Sequence, residues 1–220
     1  MALEVKSGEA VFCPSFTFAA TAEVVPWLGA VPYFVDCNDT TFNMDVDSLK
    51  HAIIEAKNTE LKPSGIIAVD LFGLPADYDA IETVAKEEGL WLIADSAQGF
   101  GAEYNGRVTG SIGDVATTSF FPAKPLGCYG DGGAVFTDND ELAEMIKSCR
   151  FHGKGGHKYD NERIGMNSRL DTLQAGILIE KLTIYAEEIE ARNVIANRYI
   201  EGIQSSLLDT PHIPDGSKSV

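Results

Sequence analysis

Positive charge is scarce in this 220-residue chain, and long hydrophobic runs are missing. The chain holds 17 Lys and Arg against 33 Asp and Glu, which gives a net charge of −16 at pH 7. This balance argues against binding to nucleic acid or to an anionic membrane surface, because both need clustered cations. It leaves room for an anionic small substrate, since a local basic patch can oppose the global field. No apolar stretch approaches the ~18 residues that a bilayer span requires.

Cysteine is also sparse, and the histidines show no ligand pattern. The chain has four cysteines, at Cys13, Cys37, Cys128 and Cys149. They lack CxxC spacing and are too few for a disulfide scaffold, so we predict free thiols and a reducing, cytoplasmic location. The four histidines show no spacing such as HxxxH, so no metal site is predicted. The first ten residues lack the apolar run of a signal peptide.

The chain does contain a regular alternation of apolar strands and helical segments. Residues 64–71 and 90–95 are apolar runs, and residues 78–88 between them have helical spacing, with Asp77 as N-cap and Gly89 as stop. A strand–helix–strand unit with short links predicts parallel strands. We therefore predict an α/β fold of three layers, with a mostly parallel central sheet and helices on both faces. A capping box at residues 168–171 then opens one long helix that reaches residue 203.

One lysine stands in a turn that is rich in Gly and Pro. Lys124 follows the apolar run 115–121 and has no other cation beside it. Desolvation in such a place lowers the pKa of an amine, and a neutral lysine can attack a carbonyl to form a Schiff base. Taken alone, the turn is better explained by a loop lysine that points to water.

Two strand ends add polar groups that change this interpretation. Asp95 ends the strand 90–95, and Ser119 lies in the last residues of the strand 114–120, on the side of the turn. In open α/β sheets the ligand crevice lies beyond the carboxyl ends of the strands. A lysine, a carboxylate and a hydroxyl in one crevice match the needs of pyridoxal phosphate, whose ring nitrogen must stay protonated. Asp70, at the end of the preceding strand, is a second carboxylate, which we interpret as structural.

Five segments in order resemble the DegT/DnrJ/EryC1/StrS family of sugar aminotransferases, which are pyridoxal-phosphate enzymes of fold type I. The segments are residues 14–18, 95–98, 119–120 with Lys124, 130–133 and 165–171. The family's upstream Ser-Gly-Thr-Ala-like turn and its C-terminal domain have no counterpart here. We therefore expect residues 1–165 to form a cofactor-binding large domain truncated at its N-terminus. Residues 166–220 are expected to form the interdomain helix and the start of the small domain.

The resemblance implies six site residues with distinct roles. Lys124 is implied to bind the cofactor and to move protons, with Asp95 at the ring nitrogen and Gln98 near the ring hydroxyl. Ser119 is implied to bind the phosphate, and Phe18 to lie on the ring face. Asn167 is implied to reach the phosphate of a neighbouring subunit's cofactor. From chemistry alone, Phe18 is better explained as a core aromatic, and Asn167 as a loop or cap residue. The implied reaction moves an amino group from an amino acid, expected to be glutamate, to a nucleotide-linked keto-sugar in a homodimer.

Two other functions stay open at this point. A sugar dehydratase of the same fold carries a histidine in place of the lysine, so Lys124 favours amino transfer. A truncated, non-catalytic remnant would keep the fold and the dimer surface without the chemistry. The basic segment 150–163 is either a solvated loop or a contact for the diphosphate of a nucleotide-linked sugar.

Overall fold

The computed structural model of the chain describes residues 1–157 and 159–220 and centres on a six-stranded sheet. The described residues form nine strands: β1 (Glu9–Pro14), β2 (Val31–Val35), β3 (Lys62–Val69), β4 (Trp91–Asp95), β5 (Glu103–Tyr104), β6 (Arg107–Val108), β7 (Val115–Ser119), β8 (Gly133–Phe136) and β9 (Ser217–Lys218). The main sheet has the order β2-β1-β3-β4-β7-β8, and only the β7–β8 pair is antiparallel. A small second sheet has the order β6-β5-β9.

Six α-helices connect and cover these strands. They are α1 (Ala19–Glu23), α2 (Val46–Lys57), α3 (Tyr78–Glu88), α4 (Asp140–Arg150), α5 (Thr172–Leu182) and α6 (Tyr185–Gly202), all within the described part of the chain. The prediction for α3 is confirmed at both ends. The Asp77 side chain accepts a hydrogen bond from the Ala80 amide, and Gly89 closes the helix in the left-handed region with φ 67°.

Alternating side chains of the central strands divide the core into two layers. Phe12, Ile66 and Leu92 pack with α2 and α3 on one face. Their neighbours Val11 and Ile67 pack on the other face with Val25 and Ala30, which flank the turn after α1. Because successive strand residues point to opposite faces, both faces of the sheet are apolar. The predicted mostly parallel sheet with helices on both faces is confirmed.

The segment predicted as one long helix from residues 168–171 to residue 203 forms two helices, α5 and α6. The predicted capping box does not form, because Asp171 is the N-cap of α5 and makes no side-chain cap hydrogen bond. The break falls at Thr183 and Ile184, between α5 and α6. Thr183 donates its hydroxyl to the Glu180 carbonyl, and the Ile184 amide bonds to Lys181 in the tighter i to i+3 pattern. This turn brings Tyr185 over Phe100, with ring centroids 6.4 Å apart. The helix therefore breaks before Tyr185, where packing of this side chain on Phe100 outweighs the helical spacing of the apolar residues.

The carboxyl ends of three parallel strands meet at one edge of the sheet. Val69 of β3 pairs with Asp95 of β4, and Asp95 pairs with Thr117 of β7. The predicted free thiols are confirmed, since all four cysteines are unpaired. Within residues 1–157 and 159–220, no helix is both long and apolar enough to span a bilayer.

Candidate active site

A cavity of about 1040 Å³ opens at this edge of the sheet, between α1 and the turn after β7. Five of the six candidate residues line it, namely Phe18, Asp95, Gln98, Ser119 and Lys124. They come from α1's N-terminus, from the ends of β4 and β7 and from the turns that follow. The topology thus places the amine of Lys124 and the carboxylate of Asp95 in one shared space.

Asp95 is held at the cavity by two donors. Its Oδ2 accepts a hydrogen bond from Thr21 Oγ1 at 3.0 Å, and its Oδ1 accepts one from the Ala97 amide at 3.1 Å. Burial raises the pKa of the Asp95 carboxyl, while these two hydrogen bonds and the charge of Lys124 act in the opposite direction. A carboxylate offers about four acceptor positions, so Asp95 keeps room for a third donor from the cavity.

Lys124 is half-buried, and its side chain lies beside an aromatic ring. Its Nζ is 6.0 Å from the centroid of the Phe18 ring. Phe18 immediately precedes α1 and is 68% exposed, so the interpretation of Phe18 as a core aromatic is wrong. The ring forms an apolar wall on the side of the cavity where the lysine ends.

In Gln98 and in Ser119, the side-chain oxygen accepts a hydrogen bond from a backbone amide. Gln98 Oε1 accepts from the Phe72 amide at 2.9 Å, which leaves its NH₂ group as the free donor. Phe72 holds this geometry with φ 55°, a left-handed conformation that is unusual for a bulky residue. Ser119 Oγ accepts from the Phe121 amide at 3.2 Å, so its hydroxyl hydrogen is available for an anion.

Asn167 lies apart from the other five candidates. It is exposed, pairs with Phe151 in an isolated bridge and lines a second cavity of about 1160 Å³ next to β8 and α4. Arg150 of the basic segment lines the same second cavity, and Arg163 contacts the Ser148 hydroxyl. Lys158 of that segment lies outside the described residues. Within one chain, the structure therefore does not bring Asn167 to the lysine and carboxylate.

The sequence profile of the DegT/DnrJ/EryC1/StrS aminotransferase family matches residues 1–219. The chain belongs to this family. It is 46% identical over 220 residues to the UDP-2-acetamido-2-deoxy-3-oxo-D-glucuronate aminotransferase of Pseudomonas aeruginosa, covering 100% of this chain and 59% of the relative.

Two solved structures carry the same fold. A DegT/DnrJ/EryC1/StrS aminotransferase from Brucella abortus superposes with a TM-score of 0.95 at 52% identity, over 98% of this chain and 58% of that protein. NtdA from Bacillus subtilis, solved with its cofactor PMP bound, superposes with a TM-score of 0.82 at 34% identity, over 91% of this chain and 44% of that protein. The chain thus spans less than two thirds of the length of each of these proteins.

The structure adds site residues that the sequence motifs of this aminotransferase family did not indicate here. Thr21 donates to Asp95 from 74 positions away, and Arg192 of α6 lines the same cavity as Lys124. Thr21 follows the matched segment 14–18 by three residues, which is the one signal that could have drawn attention to it. Arg192 has no local signal, because its position depends on α6 folding back over the sheet edge.

Asp70 occupies a separate, buried place behind the cavity. It is 0% exposed, and its Oδ1 accepts from the Tyr78 hydroxyl at 2.6 Å and from the Ala76 amide at 3.3 Å. Asp70 is not among the cavity-lining residues, which supports its interpretation as structural. Burial raises the pKa of Asp70 to about 7, and the nearby charge of Asp95 adds to this rise. Two donors are few for a buried carboxylate, so the neutral acid is favoured.

This raised pKa predicts a pH-dependent stability difference between the wild type and Asp70→Asn. Unfolded Asp70 loses its proton from about pH 4, whereas folded Asp70 keeps it up to about pH 7. The wild type should therefore lose stability relative to the variant by about 1.4 kcal/mol per pH unit across that window. Above pH 7 the difference should become constant. Urea unfolding of both proteins at pH 5, 6, 7 and 8 measures this difference in the free energy of unfolding. Asp138→Asn, at an exposed position, is the matched control. A flat difference from pH 5 to 7 would contradict the assignment.

Proposed function

We propose that this protein transfers an amino group from an amino acid, glutamate, to a nucleotide-linked keto-sugar, with pyridoxal phosphate as cofactor. The observation that carries the proposal is that Lys124 and Asp95 line one cavity at the carboxyl ends of parallel strands. The 46% identical Pseudomonas relative is named for amino transfer to a UDP-linked 3-oxo sugar, which supports the substrate class. The PMP bound in NtdA supports the cofactor.

The residues of the cavity fit pyridoxal phosphate. Typical ligand pockets measure roughly 300–1,000 Å³, so a cavity of about 1040 Å³ has room for the cofactor and part of a substrate. Asp95 offers a carboxylate with acceptor capacity for a ring N–H, and Lys124 offers the amine for the aldehyde. Ser119 offers a hydroxyl donor for the phosphate, and the Gln98 amide offers a donor for the ring hydroxyl.

In the proposed mechanism each side chain has a defined task. When bound, pyridoxal phosphate supplies a ring that withdraws electrons from the α-carbon of the donor. Asp95 keeps the ring nitrogen protonated, which maintains that withdrawal. The amine of Lys124 would hold the cofactor at rest. In each half-reaction the same amine would move the proton between C4′ of the cofactor and the reacting carbon of the amino donor or of the keto-sugar. Phe18 shields the amine from water on one side.

The proposal includes a homodimer in which Asn167 reaches the phosphate of the neighbouring subunit's cofactor. It is supported by the exposure of Asn167 and by its place in the lining of the second cavity rather than of the cavity that Lys124 lines. We further propose that residues 1–165 belong to the cofactor-binding domain, that residues 166–220 lead into a second domain, and that the protein is cytoplasmic, as its free thiols suggest. Sedimentation of the chain as a monomer at micromolar concentration would contradict the dimer. Limited proteolysis tests the boundary between the two domains, and cell fractionation tests the cytoplasmic location.

The half-reaction with glutamate tests the proposed function. Purified protein titrated with pyridoxal phosphate should become yellow with one equivalent bound per chain. Addition of glutamate should then convert the visible absorbance and release one equivalent of 2-oxoglutarate. A subsequent UDP-linked 3-keto sugar should restore the starting spectrum. A protein that stays colourless would favour the non-catalytic remnant. Colour without a response to glutamate would contradict the proposed donor.

A further inference from the structure

The backbone that carries Lys124 is held from outside by side chains of α5 and α6. We call residues 122–130 the lysine turn. Lys181 Nζ donates to the Gly127 carbonyl at 2.5 Å, and the Tyr129 amide donates to Gln174 Oε1 at 2.8 Å. Arg192 Nη2 donates to the Pro125 carbonyl at 3.3 Å. Three side chains from two helices thus bond to successive parts of the same turn.

The lysine turn is equally constrained on its inner side. The Cys128 amide donates to the Phe120 carbonyl at 2.8 Å, and the buried Cys128 thiol lies 3.0 Å from the same oxygen. Gly127 leaves no space for a side chain, because a Cβ there would lie 2.6 Å from the Pro122 carbonyl oxygen. A turn bonded from both sides cannot shift without breaking several of these contacts.

The ammonium group of Lys181 faces the lysine turn. Besides the Gly127 carbonyl, its Nζ lies 5.5 Å from the centroid of the Tyr129 ring. Among the described residues it forms no ion pair within 4.0 Å, in contrast to Lys147, which pairs with Glu144 at 2.6 Å. A hydrogen bond from an ammonium is roughly twice as strong as one between neutral groups. The charge of Lys181 therefore stabilises the conformation of the turn.

We propose that Lys181, assisted by Gln174, is a positioning residue that sets the place of the Lys124 amine through the lysine turn. This inference rests on the proposed function, because it matters only if Lys124 reacts with a carbonyl. A reacting nitrogen must approach to roughly 3–3.5 Å in the correct orientation, and a misplacement of about 1 Å can cost about 100-fold in rate. Lys181 itself does not line the cavity and acts only through the backbone of the turn.

The test separates covalent attachment from reversible binding. Lys181→Met keeps the length and apolar stem of the side chain and removes its charge and donors. We expect covalent attachment of pyridoxal phosphate to Lys124, trapped with borohydride over time, to slow about 10- to 100-fold. Binding of pyridoxamine phosphate, which has no aldehyde, should change less than about twofold, because the binding side chains are untouched. Lys181→Arg should restore most of the attachment rate.

Control variants separate a failure of the positioning role of Lys181 from a failure of the proposed function. Lys147→Met removes an exposed lysine from α4 and should leave both measurements unchanged. If Lys181→Met does not fold, Gln174→Leu provides the same comparison through the Tyr129 amide. Equal attachment rates in the wild type and Lys181→Met, or equal losses of attachment and reversible binding, would overturn the positioning role alone. Failure of the wild type to attach cofactor at Lys124 would overturn the proposed function and this inference together.

Discussion

Replacement of Lys124 by alanine is expected to reduce amino transfer at least about 1,000-fold, because no other lysine of the described residues lines the cavity. The variant lacks the amine that we propose both holds the cofactor and moves the proton. The measurement is the rate of 2-oxoglutarate release from glutamate in the presence of a UDP-linked keto-sugar. The visible absorbance of lysine-bound cofactor should disappear with the activity.

The matched control for this variant is Lys86→Ala, which removes an exposed lysine from α3. It should keep the wild-type rate and spectrum, and both variants should unfold at the same urea concentration within error. A Lys124→Ala protein that still turns yellow with one equivalent of cofactor would show that the reactive amine lies elsewhere. A rate within tenfold of the wild type would remove Lys124 from the mechanism.

The second large effect is expected for Asp95→Asn, which keeps the shape of the side chain and removes its charge. A neutral amide no longer stabilises a protonated ring nitrogen, so the ring withdraws electrons less strongly. By analogy with the loss of a single electrostatic group in other enzymes, we expect amino transfer to fall about 100- to 1,000-fold. The asparagine oxygen can still accept from the Ala97 amide, and its NH₂ group can donate to Thr21 Oγ1, whose own hydroxyl hydrogen can turn to Thr17 Oγ1, so the variant should fold.

The spectrum and the kinetics together decide the role of Asp95. Lys124 is intact in this variant, so covalent cofactor should still form while the conversion by glutamate becomes slow. Asp138→Asn, an exposed loop change, controls for the loss of one negative charge. Wild-type rates in Asp95→Asn would contradict the assignment of Asp95 to the ring nitrogen. A variant that binds no cofactor at all would point to a binding role instead.

The sequence predicts the part of the site that local patterns determine. Asp95 and Ser119 each end a short apolar strand, and parallel strands bring their carboxyl ends to one edge. Helix α3 has its cap and its stop within the segment itself, so its bounds follow from local chemistry. These features need no knowledge of distant residues.

Other features depend on contacts between remote parts of the chain and leave no local pattern. Gln174, Lys181 and Arg192 reach the lysine turn across 45, 54 and 67 positions. The break at Thr183 depends on how Tyr185 packs on Phe100. Such contacts are set by how α5 and α6 fold over the sheet edge. The role of Asn167 stays a prediction, because in a single chain it lines the other cavity.

The position of the covalently bound cofactor tests the role of Lys124 most directly. The protein is mixed with one equivalent of pyridoxal phosphate, reduced with borohydride and digested, and the peptides are examined by mass spectrometry. We expect a single pyridoxyl group on Lys124 in at least about nine tenths of the labelled peptide. Label spread over exposed lysines such as Lys86, or concentrated on Lys181, would contradict it.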